Sequence, residues 1–294
     1  MIGQSSARRW TWVLVFLAPG LLGLLLFIIG PVIFSLGLTT FEWNLLTPPQ
    51  FVGLQNFVDL VRDARFWAAL QHTLTFIVLY VPAVFVVAFG LALLLNRPLR
   101  GRTFFRMAFY VPVVSSWVAV SMMWRWIFNP QYGLMNYLLG LLGIQGPSWL
   151  FDPNTAMYAV VIASVWKDAG FSTVLYLAGL QSIPNEYHEA AQIDGANGWQ
   201  RLRYITVPLI TPTAFFVLIT TLIGSFQVFD QMYLMPVDYA QRGTTVIVQH
   251  IVNNAFRYQR MGYASTLSWV LFAMIFLITI VQLRLQKRWV YYEQ

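Results

Sequence analysis

Cysteine is absent from the 294-residue chain, which excludes disulfides, thiolate metal sites and a cysteine nucleophile. Histidine is scarce: His72, His188 and His250 lie in different stretches with no HxxxH or HExxH spacing, so they read as loop or span-end residues and no metal site is expected. Charge is scarce too. Only 10% of residues are Asp, Glu, Lys or Arg, against roughly a quarter in soluble domains, while 58% are hydrophobic and 17% aromatic. No GxxxxGK[ST] phosphate loop or GxSxG elbow occurs, and no acid pair in an apolar run has a nucleophile beside it. The residues give no basis for catalysis or for ATP binding by a P-loop.

What the chain has in abundance is long apolar sequence. A bilayer core about 30 Å thick needs about 20 apolar helical residues, and six segments reach that length: 13–38, 71–95, 104–128, 156–180, 210–233 and 265–283. The expected fold is all-α and integral to the membrane, with six transmembrane helices in a single domain over residues 1–294. The first run exceeds the roughly 7 to 15 residues of a signal-peptide core and is read as a retained span. Prolines 19, 31, 82 and 112 mark kinks that neighbouring helices can satisfy. The many Trp, Tyr and Phe residues belong mostly to the lipid belt or the core.

The net charge of +7 reads as a topology signal and not as a nucleic-acid footprint. Arg8, Arg9, Arg97, Arg100, Arg102, Arg106, Arg201, Arg203, Arg284, Lys287 and Arg288 all fall on one side of the six-span layout. The opposite connections hold Arg62, Arg65, Arg242, Arg257 and Arg260, diluted by Glu42, Asp59, Asp63, Asp152 and Asp238. Both termini are therefore expected in the cytoplasm, with loops 39–70, 129–155 and 234–264 outside.

The cytoplasmic connection 183–208 is polar and bent. In IPNEYHEAAQIDGANGWQRLRYITVP, Pro184 ends a span and suits a new helix, along which Tyr187, Ala190, Ala191 and Asp194 recur at three- and four-residue spacing. Gly195 can take the left-handed conformation that stops a helix, and Asn197 can cap a second one. That second helix would have Trp199, Leu202 and Ile205 or Thr206 on its apolar side, and Pro208 would reset the chain for the fifth span. The result is an elbow at the membrane surface with a narrow alanine patch; an amphipathic linker is the plain alternative.

Ionisable groups inside spans cost about 2.5 to 3.5 kcal/mol each and usually face a cavity or a partner. Lys167 and Asp168 in the fourth span, with Gln227, Asp230 and Gln231 in the fifth, are the substrate-pathway candidates. Gln227 would share a helix face with Asp230 and Gln231. A structural ion pair between Lys167 and Asp230 is the competing reading. Arg125 is read as an interface anchor.

Glu189, Ala190, Ala191, Gly195, Ile205, Val207 and Pro208 resemble the EAA loop of permease subunits in binding-protein-dependent ABC importers, with Val207 where leucine is usual. FVGLQNF (Phe51–Phe57), VWKDAGFSTVLYLAGLQSIP (Val165–Pro184) and AFRYQRMGYAST (Ala255–Thr266) resemble the carbohydrate-type permeases of the maltose and glycerol-phosphate importer group. The likeness covers nearly the whole chain. It departs at LMPVDYAQRGTT (Leu234–Thr245), where such permeases often carry a TGGGP-like turn, which bears on contact with a substrate-delivery protein.

The resemblance implies a type I ABC importer permease fold with a cytoplasmic coupling helix, in a prokaryotic plasma (inner) membrane. It implies transport of a sugar, oligosaccharide or related polyol, with this chain forming half of the pathway. Glu189 would make a polar contact with an ATPase, Ala190 and Ala191 would pack against it, Asp194 would belong to the same coupling surface, and Gly195 would form the bend. The implied partners are a second, related permease chain, two ATPase subunits that bind ATP-Mg, and an extracytoplasmic substrate-binding protein. No cofactor is expected in this chain. The alternatives are an ABC permease for a non-sugar solute and an ion-coupled secondary transporter with Lys167, Asp168 and Asp230 as a relay.

Overall fold

Residues 6–97 and 101–291 are described in a computed structural model of the chain. Arg100 lies outside the described residues, as do the side chains of Arg8, Arg9 and Arg102. In chain order the helices are α1 (Ser6–Leu24), α2 (Gly30–Leu38), α3 (Gln55–Arg62), α4 (Ala64–Leu95), α5 (Arg102–Val114), α6 (Trp117–Ile127), α7 (Leu134–Leu141) and α8 (Pro153–Gln181). There follow α9 (Asn185–Ile193), α10 (Gly198–Arg201), α11 (Val207–Leu209), α12 (Thr211–Phe226), α13 (Asp230–Leu234), α14 (Ile247–Val252) and α15 (Met261–Trp289). Strands β1 (Phe41–Glu42) and β2 (Gln50–Phe51) pair antiparallel, with Phe41 opposite Phe51.

Five stretches, Trp12–Leu38, Ala64–Leu95, Pro153–Gln181, Thr211–Leu234 and Met261–Trp289, are long and apolar enough to cross a membrane, and α5 with α6 makes a sixth if the bent pair is one span. The pair bends by 102°. The kink expected at Pro112 is thus a full break in the third span, three residues further along. Pro112 contributes no amide proton to the helical ladder near the break, Ser115 is extended (φ −73°, ψ 142°), and the Ser116 side chain accepts from Val118 N to start α6.

The fifth span is also interrupted. α12 stops at Gln227, and Phe229 (φ −143°, ψ −60°) separates it from α13. Gln227 therefore does not share one continuous helix face with Asp230 and Gln231, as the sequence spacing predicts. Non-helical backbone at membrane depth is tolerated only where it is buried in protein or lines a cavity, and here it lines one.

The described residues form two compact units. The first, residues 1–63 and 251–270, brings two of the sequence motifs together. Asn56 donates to the carbonyls of Thr39 (2.9 Å) and Phe41 (3.0 Å), and Met261 N donates to Trp43 O (2.9 Å). Tyr263 Oη donates to Asp63 (2.6 Å), Arg260 approaches Asp59 (3.9 Å), and a Cβ at Gly262 would strike the Phe41 carbonyl.

The second unit, residues 64–250 and 271–294, is built around α8. Asp152 caps α8 through Asn154 N, and 61% of its most apolar stretch is buried, against 0% of that in Trp12–Leu38. Small residues on α8 permit close approach: Ala156, Ala159 and Ala163 are fully buried, and a Cβ at Gly170 would strike the Phe109 carbonyl of α5. A core of Ala88, Ala92, Tyr176, Leu180, Ala214 and Val217 ties α4, α8 and α12 together. On the same unit, His72 lies 3.0 Å from the Thr245 carbonyl and Thr73 accepts from Ile247 N (3.1 Å).

Candidate functional site

The expected elbow forms, and its bends are local chemistry. α9 ends with Asp194 as its C-cap, and Gly195 takes φ +77°. Ala196 N then donates to Ala191 O (2.8 Å) and Gly195 N to Gln192 O (3.1 Å), which satisfies carbonyls that the helix end leaves open. Asn197 and Gln200 form a reciprocal capping box, with bonds of 2.9 and 2.7 Å, and open α10.

Two details differ from expectation. Thr206 is buried on the second limb, but Trp199 is 69% exposed, because α10 is a single turn before a π-type turn over Leu202–Thr206. Pro208 is accommodated in the first turn of α11, and the fifth span starts at Thr211 with Pro212 in its first turn.

Glu189, Ala190, Asp194 and Gly195 are exposed, Ala191 is half-buried, and Ile193 at the tip is 88% exposed. Asp194 sits at the helix end and not within it. The elbow is anchored at both ends, since Ile183 and Ile210, which bracket it, are buried in the α4–α8–α12 core.

A cavity of about 400 Å³ in the second unit collects the other candidates. Asp168, Gln227, Asp230 and Gln231 line it, although the last three come from a broken helix. Tyr80 Oη donates to Asp168 Oδ2 at 2.8 Å. Gln231 is 7% exposed and reaches Ser164 Oγ at 3.5 Å.

Lys167 is not in the lining, although the two residues that hold it are. Successive helical residues point about 100° apart, so Asp168 faces the cavity while Lys167 turns toward the α5–α6 break. Its ammonium donates to Val113 O (3.0 Å) and lies 5.0 Å from the centroid of the Trp117 ring. The ion pair with Asp230 is not formed, and the Lys167–Asp168–Asp230 relay is not assembled. Arg125 is exposed on α6.

Sequence reasoning missed Tyr80, Trp117, Ser172 and Thr221, all of which line the cavity. Ser172 alone carried a signal, standing one helical turn beyond Asp168; the others join only through packing.

Residues 74–291, which include the elbow and the cavity, match the family of binding-protein-dependent transport system inner membrane components. The chain belongs to that family. This permease is 36% identical over 287 residues to the probable ABC transporter permease protein YesP of Bacillus subtilis (strain 168), covering 95% of this chain and 91% of the relative. It is 35% identical over 289 residues to the lactose transport system permease protein LacF of Rhizobium radiobacter, covering 95% and 96%.

Its fold matches, with a TM-score of 0.86, 25% identity and 96% of each chain covered, a crystal structure of a bacterial alginate ABC transporter in complex with alginate pentasaccharide-bound periplasmic protein. The resemblance carried by the EAA run therefore holds at the level of the family. The permease is a multi-pass membrane component of a transport system, and the family is not one of enzymes.

Proposed function

We propose that the permease is one subunit of an ATP-driven importer for a sugar, oligosaccharide or related polyol. It forms half of the pathway and receives force from a separate ATPase through the elbow. The observation that carries this reading is the elbow's construction: an exposed helical face, a left-handed Gly195, and anchorage of both ends in the core that joins α4, α8 and α12. A displacement of α9 is then delivered to the spans and not absorbed in a slack loop. Relatives named for lactose and alginate transport support the sugar class, and the periplasmic protein in the matched structure supports a delivery partner.

In this assembly Glu189, Ala190, Ala191 and Asp194 face an ATPase, and two such subunits bind ATP-Mg. A second, related permease completes the pathway, and a binding protein delivers solute from outside. Both termini lie in the cytoplasm of a prokaryote, beneath its inner membrane. Asp168, Gln227, Asp230 and Gln231 line the route, and Lys167 braces its wall through Val113 O and Trp117.

Gly195→Pro forces φ from +77° to about −65°, and Glu189→Lys reverses an exposed charge on the docking face. Each is expected to reduce solute uptake at least about tenfold, within the range of coupling free energies, while ATP hydrolysis persists in the reconstituted complex. Coupled uptake unchanged in both variants, at normal membrane levels, would remove the elbow from the mechanism.

A further inference from the structure

The charged side chains lining the cavity are, among the described residues, Asp168 and Asp230; no Lys, Arg or His lines it. The nearest cation in sequence, Lys167, is not itself in the lining; its ammonium is tied down beside it by the Val113 carbonyl and the face of Trp117, both of which line the cavity. We propose that the cavity admits neutral or positively charged polyhydroxylated solutes and excludes those bearing carboxylate, phosphate or sulfonate groups. The proposal rests on reading the cavity as part of the translocation route.

The remaining lining suits such a solute. Ser172, 4% exposed, contributes a hydroxyl to the lining. Gln227 and Thr221 add further polar groups, so donors and acceptors meet in one space. Phe171, 47% exposed, and Trp117 give the wall apolar ring surface against which the C–H face of a pyranose can lie, while Phe76 and Tyr80, stacked at 4.8 Å, are buried.

Charge selection follows from the same geometry. A cleft lined by one sign of charge between low-dielectric walls focuses its field and changes local counter-ion concentration by about 10 to 1,000-fold. An anion would meet two lining carboxylates, offset only by the Lys167 ammonium that Val113 O and Trp117 hold beside the lining. A polyuronate such as alginate falls on the excluded side, although the fold is shared with an alginate transporter.

The cysteine-free sequence makes a direct test possible. Thr221→Cys places a thiol in the cavity, and Leu46→Cys, at a position 77% exposed, serves as the reference. The full transporter, with its partner subunits in lipid nanodiscs, would be treated with cationic trimethylammonium, neutral and anionic sulfonate methanethiosulfonates. Modification would be read from the mass of this chain, and assembly of each variant checked by size-exclusion chromatography.

The cationic-to-anionic rate ratio at Thr221→Cys should exceed that at Leu46→Cys by about tenfold or more. Adding Asp168→Asn and Asp230→Asn should bring it back toward the reference. Equal ratios at the two positions would overturn the proposal while leaving the cavity accessible. Slow reaction with all three reagents at Thr221→Cys, with normal reaction at Leu46→Cys, would instead overturn the route reading, and the proposal with it. Transport of a uronate oligosaccharide as fast as a neutral one of equal length would also overturn it.

Discussion

An ammonium at the centre of a membrane-spanning helix costs about 2.5 to 3.5 kcal/mol on insertion scales, and Lys167 meets that cost with a backbone carbonyl and an indole face. The carbonyl is available because α5 stops at Val114, so Val113 O lies in a last turn whose acceptors the helix leaves open. Asp168, one residue on, takes a hydroxyl donor from Tyr80 and keeps its face to the cavity. The sequence shows that both residues need partners, because the desolvation cost depends only on residue type and surroundings. It cannot show which partners, since those come from α4, α5 and α6. Glycines separate in the same way. Gly170→Ala should destabilise the purified permease by about 1 to 3 kcal/mol, because its Cβ meets the Phe109 carbonyl. Gly90→Ala, with nothing within 4 Å, should be neutral or stabilising by about 0.5 to 1 kcal/mol. Thermal unfolding in nanodiscs compares the two; equal shifts would deny the close α5–α8 approach.

At the scale of elements, the elbow and the broken spans differ in how they are encoded. Gly195 and Asn197 act on backbone groups within four residues of themselves, so the helix stop and the cap could be read directly from the sequence. Pro112 signalled a kink in the third span but not its size, whereas the break in the fifth was not legible, because apolar composition runs through it: Phe226, Val228 and Phe229 look like any membrane helix. Asn197→Ala removes one half of the capping box and should cost about 1 kcal/mol locally. Amide hydrogen exchange over residues 195–201 should then quicken about fivefold, with the core of α8 unchanged. Unaltered exchange in that segment would mean that the box does not hold the elbow.

At the scale of the molecule, two sequence motifs nearly 200 residues apart become one structural feature. FVGLQNF supplies Asn56 to the carbonyls of Thr39 and Phe41, and AFRYQRMGYAST brings Met261 to Trp43 and Gly262 to Phe41. The two motifs thus pack against the same stretch, residues 39–43, within the first unit. The stoichiometry proposed above also belongs at this scale. Native mass spectrometry of the complex purified through a tag on this chain should show one copy of it, a different permease chain and two ATPase subunits. Two copies of this chain without a second permease would refute the heterodimeric arrangement.

The sequence by itself determined the membrane class, the approximate positions of the spans, the bent elbow and the family. Hydropathy, helix stops and caps act over one helix or less, so linear order is enough to express them. Only the tertiary structure decided that Asp168 joins Tyr80, that Lys167 is held at the α5–α6 break by Val113 and Trp117, and that Gln227, Asp230 and Gln231 meet across an interrupted helix. The orientation of a polar side chain within an apolar span is set by which neighbouring helix offers it a partner, and that choice is made by packing.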